Sequence, residues 1–358
     1  MEFGMFHEFQ WSPGQGETEA FAQSFEQVEA AERWGLDAMW LAELHIAPYR
    51  SVLSAPLAIS AAIAARTSRI KIGTAVQVLP LCHPLRLAEE AATVDHISRG
   101  RLIFGVGRSG FPRTYEAYGV PYAESRERFA EVLAILKLAW TEERFSYQGK
   151  YHSFDNINLV PKPYQKPYPP IRIAATSADT YPVIGALGHP IFVAARIGTL
   201  SELAPNVRSY REAYQAAGHP GEGEVYLRVP VYVAETEARA REEPEESIMR
   251  LYRQTGLGLE GSAITKNALT ADPQSEQAVR AERAARAERL QNVTYDEALR
   301  DKIIVGTPDQ VVGRLQELQD ELGLDGILAE LNGGSLIPHA LVMNALRLLC
   351  EEVMPRFK

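Results

Sequence analysis

Short apolar runs alternate with amphipathic stretches of helical spacing through most of this chain, and this alternation limits the fold more than any other feature. Residues 38–41 and 102–106 are apolar nearly throughout, whereas residues 18–34 place Phe21, Phe25 and Val28 three or four positions apart. Apolar strands that each precede a helix are typical of a parallel sheet covered by helices. About eight such units can be counted, so we predict a (β/α)8, or TIM, barrel with insertions.

Two segments interrupt the alternation. In residues 145–170 aromatic and polar residues alternate before five prolines, which predicts a short antiparallel excursion and an extended connector. In residues 255–300 we predict a glycine-marked loop at Gly256, Gly258 and Gly261, followed by a charged helix over residues 275–290. We interpret this second segment as an insertion in a single domain that spans residues 1–358. Its charges are typical of a solvated helix face.

Composition narrows the class of protein. The net charge of -9 and the lack of a basic stripe disfavour nucleic-acid binding. No run of about 18 apolar residues exists, so no membrane span is expected. The two cysteines, Cys82 and Cys350, form neither a disulfide framework nor a metal-ligand spacing. The expectation is a cytoplasmic enzyme that holds no metal.

Polar residues collect where the first two predicted strands end, which is the end at which such barrels build active sites. His7 and Glu8 end the first strand, and Glu43 and His45 follow the second. Residues two apart point the same way on an extended backbone, so Glu43 and His45 are candidates for acid–base work or cofactor contact. A salt-bridged pair that holds a loop is the alternative.

The third and fourth strands end in small residues and a cation. Ala75 and Val76 would let a flat ring approach the backbone, or they simply pack the barrel. Gly107, Arg108 and Ser109 would offer backbone N–H groups and a guanidinium suited to phosphate. The glycine spacing is not that of a dinucleotide-binding fold, and a turn with a structural arginine is the alternative.

Hydroxyl groups follow the fifth strand. Ala175, Thr176, Ser177 and Thr180 lead into a helix, where free backbone amides and the positive end of the helix dipole favour an anion. Ordinary helix caps explain the same residues. The anion-site interpretation gains weight from Arg108, which we expect at the neighbouring strand end.

These strand ends resemble those of the bacterial luciferase-like flavin monooxygenase family, in an ordered series that covers nearly the whole chain outside the insertion. The matching stretches are residues 3–6, 35–43, 72–76, 79–84, 98–101 with Gly105, 161–163, 165–167 and 305–308. The resemblance implies a luciferase-like (β/α)8 barrel and a two-component monooxygenase. Such an enzyme takes reduced, diffusible FMN from a separate NAD(P)H:flavin reductase and uses dioxygen to oxygenate a small organic substrate. It also implies a homodimer.

The resemblance assigns site residues by position. The flavin ring would contact Glu43, Ala75 and Val76, and the phosphate would contact Ser177 and Thr180. The other implied cofactor contacts are Gly107, Arg108, Ser109, Arg126, Ala175 and Thr176.

The chain departs from the family pattern after the second strand. The family often has Glu-His-His-Phe there, and its first histidine is the one usually assigned to chemistry, but this chain has Leu44 at that position. Light emission from an aldehyde is therefore not expected. His45 and His7 are the remaining candidates for a catalytic base. Thr176 also replaces an acidic residue of the luciferases.

Two other functions fit the same resemblance. A dehydrogenase that uses a deazaflavin on this barrel would transfer hydride without oxygen, and a flavin-binding protein could lack catalysis altogether. The sequence does not name the substrate, nor does it choose among hydroxylation, Baeyer–Villiger insertion and desulfurisation.

Overall fold

Twelve strands are present in the computed structural model, which describes residues 1–195 and 198–358. In chain order they are β1 (Glu2–His7), β2 (Ala38–Leu41), β3 (Lys71–Thr74), β4 (Gln77–Val78), β5 (Leu102–Gly107), β6 (Phe145–Gln148), β7 (Ser153–Ile157), β8 (Ile171–Ala174), β9 (Ile191–Ala194), β10 (Val225–Val233), β11 (Ile304–Gly306) and β12 (Gly326–Glu330).

Eight of these strands close into a parallel barrel. Around the barrel the order is β12, β1, β2, β3, β5, β8, β9 and β10, and the circuit closes because β10 pairs with both β9 and β12. The predicted (β/α)8 fold is confirmed. Strand β4 pairs with β5 and β11 with β10, while β6 and β7 form the antiparallel excursion expected within residues 145–170.

Helices surround the barrel and fill the connections between strands. They are α1 (Glu17–Arg33), α2 (Pro56–Arg66), α3 (Pro84–Ser98), α4 (Pro112–Ala117), α5 (Ser125–Thr141), α6 (Thr180–Leu187), α7 (Leu203–Ala216), α8 (Glu237–Glu242), α9 (Glu245–Ala263), α10 (Glu276–Gln291), α11 (Tyr295–Asp301), α12 (Pro308–Leu322) and α13 (His339–Leu348). Within residues 1–195 and 198–358, none of the helices has the length and apolarity required to cross a bilayer.

Aromatic side chains fill the inside of the barrel. Trp40 is fully buried there and packs edge-on against Phe192, with Phe6 in the same cluster. A side chain at Gly4 or Gly73 would overlap the Trp40 indole, so only glycine leaves room for this ring. The interior of the barrel around Trp40 is therefore a packed core, and an open cavity is possible only at the carboxyl ends of the strands.

The prediction for the segment around residues 255–263 is wrong. Gly256, Gly258 and Gly261 lie within α9 rather than in a loop. Helix α9 packs closely on α10: a Cβ at Gly256 would lie 2.8 Å from Gln291 Cγ and 3.1 Å from the Ala287 carbonyl oxygen. Tertiary contact with α10 thus outweighs the low helix propensity of these glycines.

Candidate functional site

A cavity of about 780 Å³ opens at the carboxyl ends of the barrel strands. Its wall combines residues in or just after all eight barrel strands with residues of α9 and α10. Ten of the predicted site residues line it, namely Glu43, Ala75, Val76, Arg108, Ser109, Arg126, Ala175, Thr176, Ser177 and Thr180.

Arg108 is a cation without a carboxylate partner among the described residues. Its guanidinium is half-buried, and Nη1 donates a hydrogen bond to Ser125 Oγ at 3.1 Å. Its backbone carbonyl accepts a hydrogen bond from the Tyr115 hydroxyl, which holds the turn after β5. Burial, together with the neighbouring positive charge of Arg126, lowers the pKa of Arg108. A charge in this setting favours an anion from outside the chain.

Residues between β8 and α6 complete that side of the cavity. Arg126 Nη1 lies 2.6 Å from Asp179 Oδ2, and both side chains are exposed. Although burial raises the pKa of Asp179, Arg126 and Ser177 lower it, and the net shift is downward. Ser177 Oγ is buried and forms no hydrogen bond of good geometry in the described part of the chain. Thr180 Oγ1 donates to the Ser177 carbonyl at 2.6 Å.

We call Arg108, Arg126, Ser177 and Thr180 the anion rim, because all four line one side of the cavity. Their convergence from β5, α5 and the start of α6 brings together two cations, free hydroxyl capacity and a helix N-terminus. These are the groups that a phosphate requires.

Glu43 sits on the adjacent wall in a network of hydrogen bonds. Its Oε2 accepts from Gln77 Nε2 at 2.6 Å and from the Val78 backbone N–H at 2.7 Å. Its Oε1 lies 2.7 Å from His45 Nε2. The other ring nitrogen of His45 lies 2.9 Å from the hydroxyl of Tyr118, which is 49% exposed. A donor at Nε2 implies that Nδ1 accepts from Tyr118.

The structure separates the two residues that follow Glu43. Leu44 lines the cavity at the position where the family often has a histidine, whereas His45 does not line it. The extended geometry expected for this segment ends at Leu41, and the chain turns at Ile46, which has a φ of 54°. His45 therefore reaches the cavity only through Glu43.

Two other predicted residues lie outside the cavity lining. His7 is fully buried, its Nδ1 accepts from the Phe9 backbone N–H at 2.8 Å, and its Nε2 lies 3.0 Å from Gln27 Oε1 on α1. Gly107 instead lets Val76 approach, since a Cβ there would lie 2.5 Å from Val76 Cγ2. Neither residue is placed to touch a bound molecule.

Across the cavity lies an ionic cluster formed by Glu8, Arg50, Arg228 and Glu330. Arg50 donates to both Glu8 oxygens, at 2.7 and 2.9 Å, and Arg228 Nη2 lies 2.9 Å from Glu330 Oε2. Burial lowers the pKa of Arg50, but the Glu8 carboxylate outweighs it and the net shift is upward. Within residues 1–195 and 198–358, no group of three or more His, Cys, Asp or Glu side chains is arranged to hold a metal ion.

Comparison with known proteins identifies the family. A family model described as luciferase-like monooxygenase matches residues 1–326. The chain belongs to the luciferase-like monooxygenase family. The resemblance drawn from the strand ends is thereby confirmed.

Relatives of this luciferase-like chain differ in cofactor. The oxygenase component of a flavin-dependent trigonelline monooxygenase from Acinetobacter baylyi is 26% identical over 363 residues, which cover 100% of this chain and 96% of that protein. An F420-dependent glucose-6-phosphate dehydrogenase from Kineococcus radiotolerans is 32% identical over 202 residues, or 54% of this chain and 58% of that one. An uncharacterised protein of Sinorhizobium fredii is 37% identical over 182 residues, and the match spans about half of each chain.

Solved structures share the luciferase-like fold at low identity. A monooxygenase from Streptomyces bottropensis superimposes with a TM-score of 0.81 at 24% identity, covering 100% of both chains. The oxygenating constituent of 3,6-diketocamphane monooxygenase from Pseudomonas putida, a complex with FMN, gives 0.81 at 21% identity over 99% of this chain and 98% of that one. Both likenesses confirm the barrel.

Sequence reasoning missed several contributors to this luciferase-like site, Arg50 among them. Arg228 lies in a strand whose other residues are apolar or aromatic, and a charge in such a strand is itself a signal. Glu282, Arg283 and Arg286 of α10 also line the cavity, although the charges of that helix were interpreted as a solvated face. No local pattern distinguishes cavity-facing from solvent-facing charges on such a helix.

Proposed function

We propose that this chain is the oxygenase component of a two-component monooxygenase. It binds reduced FMN from a separate NAD(P)H:flavin reductase and uses it with dioxygen to oxygenate a small organic substrate. We also propose that it acts in the cytoplasm as a homodimer. The observation that carries the proposal is Arg108, a half-buried cation without a carboxylate partner among the described residues, on the same cavity wall as the Ser177 hydroxyl, which forms no hydrogen bond of good geometry with them.

The anion rim fits the phosphate of FMN. In the part of the chain that the structure describes, Arg108 has no carboxylate partner and Ser177 Oγ forms no hydrogen bond of good geometry, so a phosphate between them would satisfy both. Arg126, although paired with Asp179, adds a second positive charge at the exposed edge. Guanidinium groups bind phosphate through charge-assisted hydrogen bonds, which are stronger than neutral ones. The positive charge and the hydroxyl groups of the anion rim therefore favour an anion over an apolar group.

The neighbouring walls fit a flat ring. Glu43, Ala75 and Val76 line the cavity beside the rim, and Ala75 and Val76 are joined by a cis peptide bond. Small residues on this wall allow a ring to lie against the backbone. Bound FMN would supply the oxygen-activating chemistry, which belongs to the cofactor. The chain supplies position and a dry environment.

Apolar residues of the α9–α10 region, which we call the lid, would exclude water from the cavity. Leu259, Leu269 and Val279 line the cavity from the α9–α10 region, and Phe111 faces the same space. Helix α10 is held over the cavity by Arg283, which donates to Tyr122 Oη at 2.8 Å and to Ser262 Oγ at 2.9 Å. This wall protects a reactive cofactor from bulk solvent.

His45 is proposed as a positioning residue for Glu43. The chain from Tyr118 through His45 to Glu43 links the surface to the cavity by hydrogen bonds of 2.9 and 2.7 Å. It can carry a proton between solvent and the Glu43 carboxylate. His7 is removed from the candidates, because its two ring nitrogens are both engaged away from the cavity.

The test compares cofactors and then adds oxygen. The protein is titrated without oxygen with reduced FMN and with reduced deazaflavin F420, and binding is followed by absorbance and fluorescence. We expect tight binding of reduced FMN, slower loss of its reduced spectrum after oxygen is admitted, and no comparable effect with F420. Binding of F420 alone would contradict the proposal. Light scattering tests the homodimer.

A deazaflavin-dependent oxidoreductase is the second candidate function. It is favoured by the 32% identical F420-dependent relative, and its phosphate would fit the same rim. Hydride transfer from reduced F420 without oxygen would support it. A flavin-binding protein without catalysis fits less well, since the cavity also extends to the ionic cluster, beyond the proposed flavin walls.

A further inference from the structure

The ionic cluster faces the cavity from the side opposite the anion rim. Strands β10, β12 and β1 are consecutive in the barrel, whereas β5 and β8, which precede the anion rim, lie three or four strands from β12 and β1 and two or three from β10 around the circuit of eight. Glu8, Arg50 and Arg228 all line the cavity, and both arginine side chains keep 16% of their surface accessible. A cofactor bound at the anion rim and on the Glu43 wall would leave this side for another molecule.

One carboxylate oxygen brings the two guanidinium groups together. Glu8 Oε1 accepts from Arg50 Nη2 at 2.7 Å and from Arg228 Nη2 at 3.2 Å. These two nitrogens are therefore no more than about 6 Å apart, which a planar group with two oxygens can bridge. The Arg228 guanidinium also lies 3.3 Å from the centre of the Phe6 ring, which fixes its plane.

Arg50 and Arg228 each have an N–H group that donates to no acceptor among the described residues. Arg50 uses Nε and Nη2 on Glu8, and Arg228 uses Nε and Nη2 on Glu330 and Glu8. In the described chain neither Nη1 group has an acceptor. A guanidinium carries five N–H donors, so each arginine can take a further oxygen without releasing its glutamate.

We propose that Arg50 and Arg228 bind an oxygen-bearing group of the substrate, a carboxylate or a carbonyl. The rest of that molecule is apolar, because Phe6, Leu44 and Leu328 line the cavity near the cluster side. The interpretation of this ligand as a substrate rests on the proposed function, whereas the binding site itself does not. Glu8 and Glu330 act as positioning residues that hold the guanidinium planes.

The test uses three probes of similar size: benzoate, acetophenone and toluene. Calorimetry measures each dissociation constant with and without FMN. We expect benzoate or acetophenone to bind at least about 10-fold more tightly than toluene, as hydrogen bonds to a charged group predict. The tighter of the two identifies the group as a carboxylate or a carbonyl.

Arg228→Lys tests the residue, since lysine keeps the charge that Glu330 faces but loses the planar fork. We expect it to weaken the preferred oxygen probe about 10-fold and to leave toluene and FMN unchanged. Arg50→Lys is made in parallel in case one variant does not fold. Arg172→Lys is the matched control, because Arg172 is also a buried barrel arginine paired with a glutamate, Glu2, but it does not line the cavity.

Three results overturn the inference: equal affinity for all three probes, no binding of any probe, or folded lysine variants that keep the oxygen preference. A protein that binds the oxygen probes through Arg228 but not reduced FMN would overturn the proposed function and leave this ligand site in place. Binding of FMN without any oxygen preference would do the reverse.

Discussion

Removing the charge of Arg108 should weaken FMN binding through the phosphate alone. Arg108→Met keeps much of the side-chain volume and deletes the one unpaired cation of the anion rim. A hydrogen bond to a charged group contributes about 1.5–3 kcal/mol, and we take about 2 because Arg108 is only half-buried and partly screened. That corresponds to a loss of roughly 30-fold in affinity for FMN.

Riboflavin provides the control, since it has the same ring without the phosphate. Its affinity should change less than about 2-fold in Arg108→Met, because only the phosphate contact is lost. The assay is quenching of flavin fluorescence for both ligands and both proteins. An equal loss for FMN and riboflavin would show that Arg108 supports the ring or the fold, and no loss for either would place the phosphate elsewhere. Either result refutes the anion rim.

Three further predictions concern the lid, the barrel wall and pH. Arg283→Met should raise amide hydrogen exchange in α10 and in residues 110–122, because three hydrogen bonds of about 1 kcal/mol each, to Gly110, Tyr122 and Ser262, are lost, while α1 stays protected. Gly105→Ala should destabilise the protein by about 3 kcal/mol or prevent folding, since a Cβ there overlaps the Thr74 carbonyl, whereas Gly313→Ala in open space on α12 should not; chemical denaturation measures both. Burial holds the pKa of His7 at about 4, below its ordinary 6.5, so the unfolded chain takes up the proton first and stability falls as pH drops from 6.5 to 4. His7→Gln should reduce that fall by about 3 kcal/mol, and an unchanged pH dependence of unfolding would contradict the assignment.

The sequence predicts the barrel well because its strands are locally distinct. The apolar run at residues 38–41 coincides with β2 to the residue, and the run at residues 102–106 coincides with all but the last residue of β5. Thr307, a capping residue, and Pro308 likewise stand at the start of α12. These signals depend on periodicity and capping, which are properties of neighbouring residues. The prediction of a loop at the α9 glycines is wrong because their helical conformation depends on contact with α10, and the α10 residues that Gly256 contacts lie more than twenty positions further along the chain.

The candidate site is only partly predictable for the same reason. Residues at the carboxyl ends of strands, such as Glu43, Arg108 and Ser177, meet at one cavity because parallel barrel strands share one mouth. Arg50 lies in an irregular loop and donates a hydrogen bond to Glu8, which is 42 positions away in the sequence, so no local pattern predicts this contact. His7 shows the opposite error: its position at a strand end is correct, but its side chain faces α1.

The central claim is that FMN binds with its phosphate at the anion rim. A crystal structure of the protein with FMN tests it most directly. We predict phosphate oxygens within about 3 Å of the Arg108 guanidinium and of Ser177 Oγ, with the ring against Ala75 and Val76. A phosphate bound at the ionic cluster, or a flavin outside this cavity, would contradict the account.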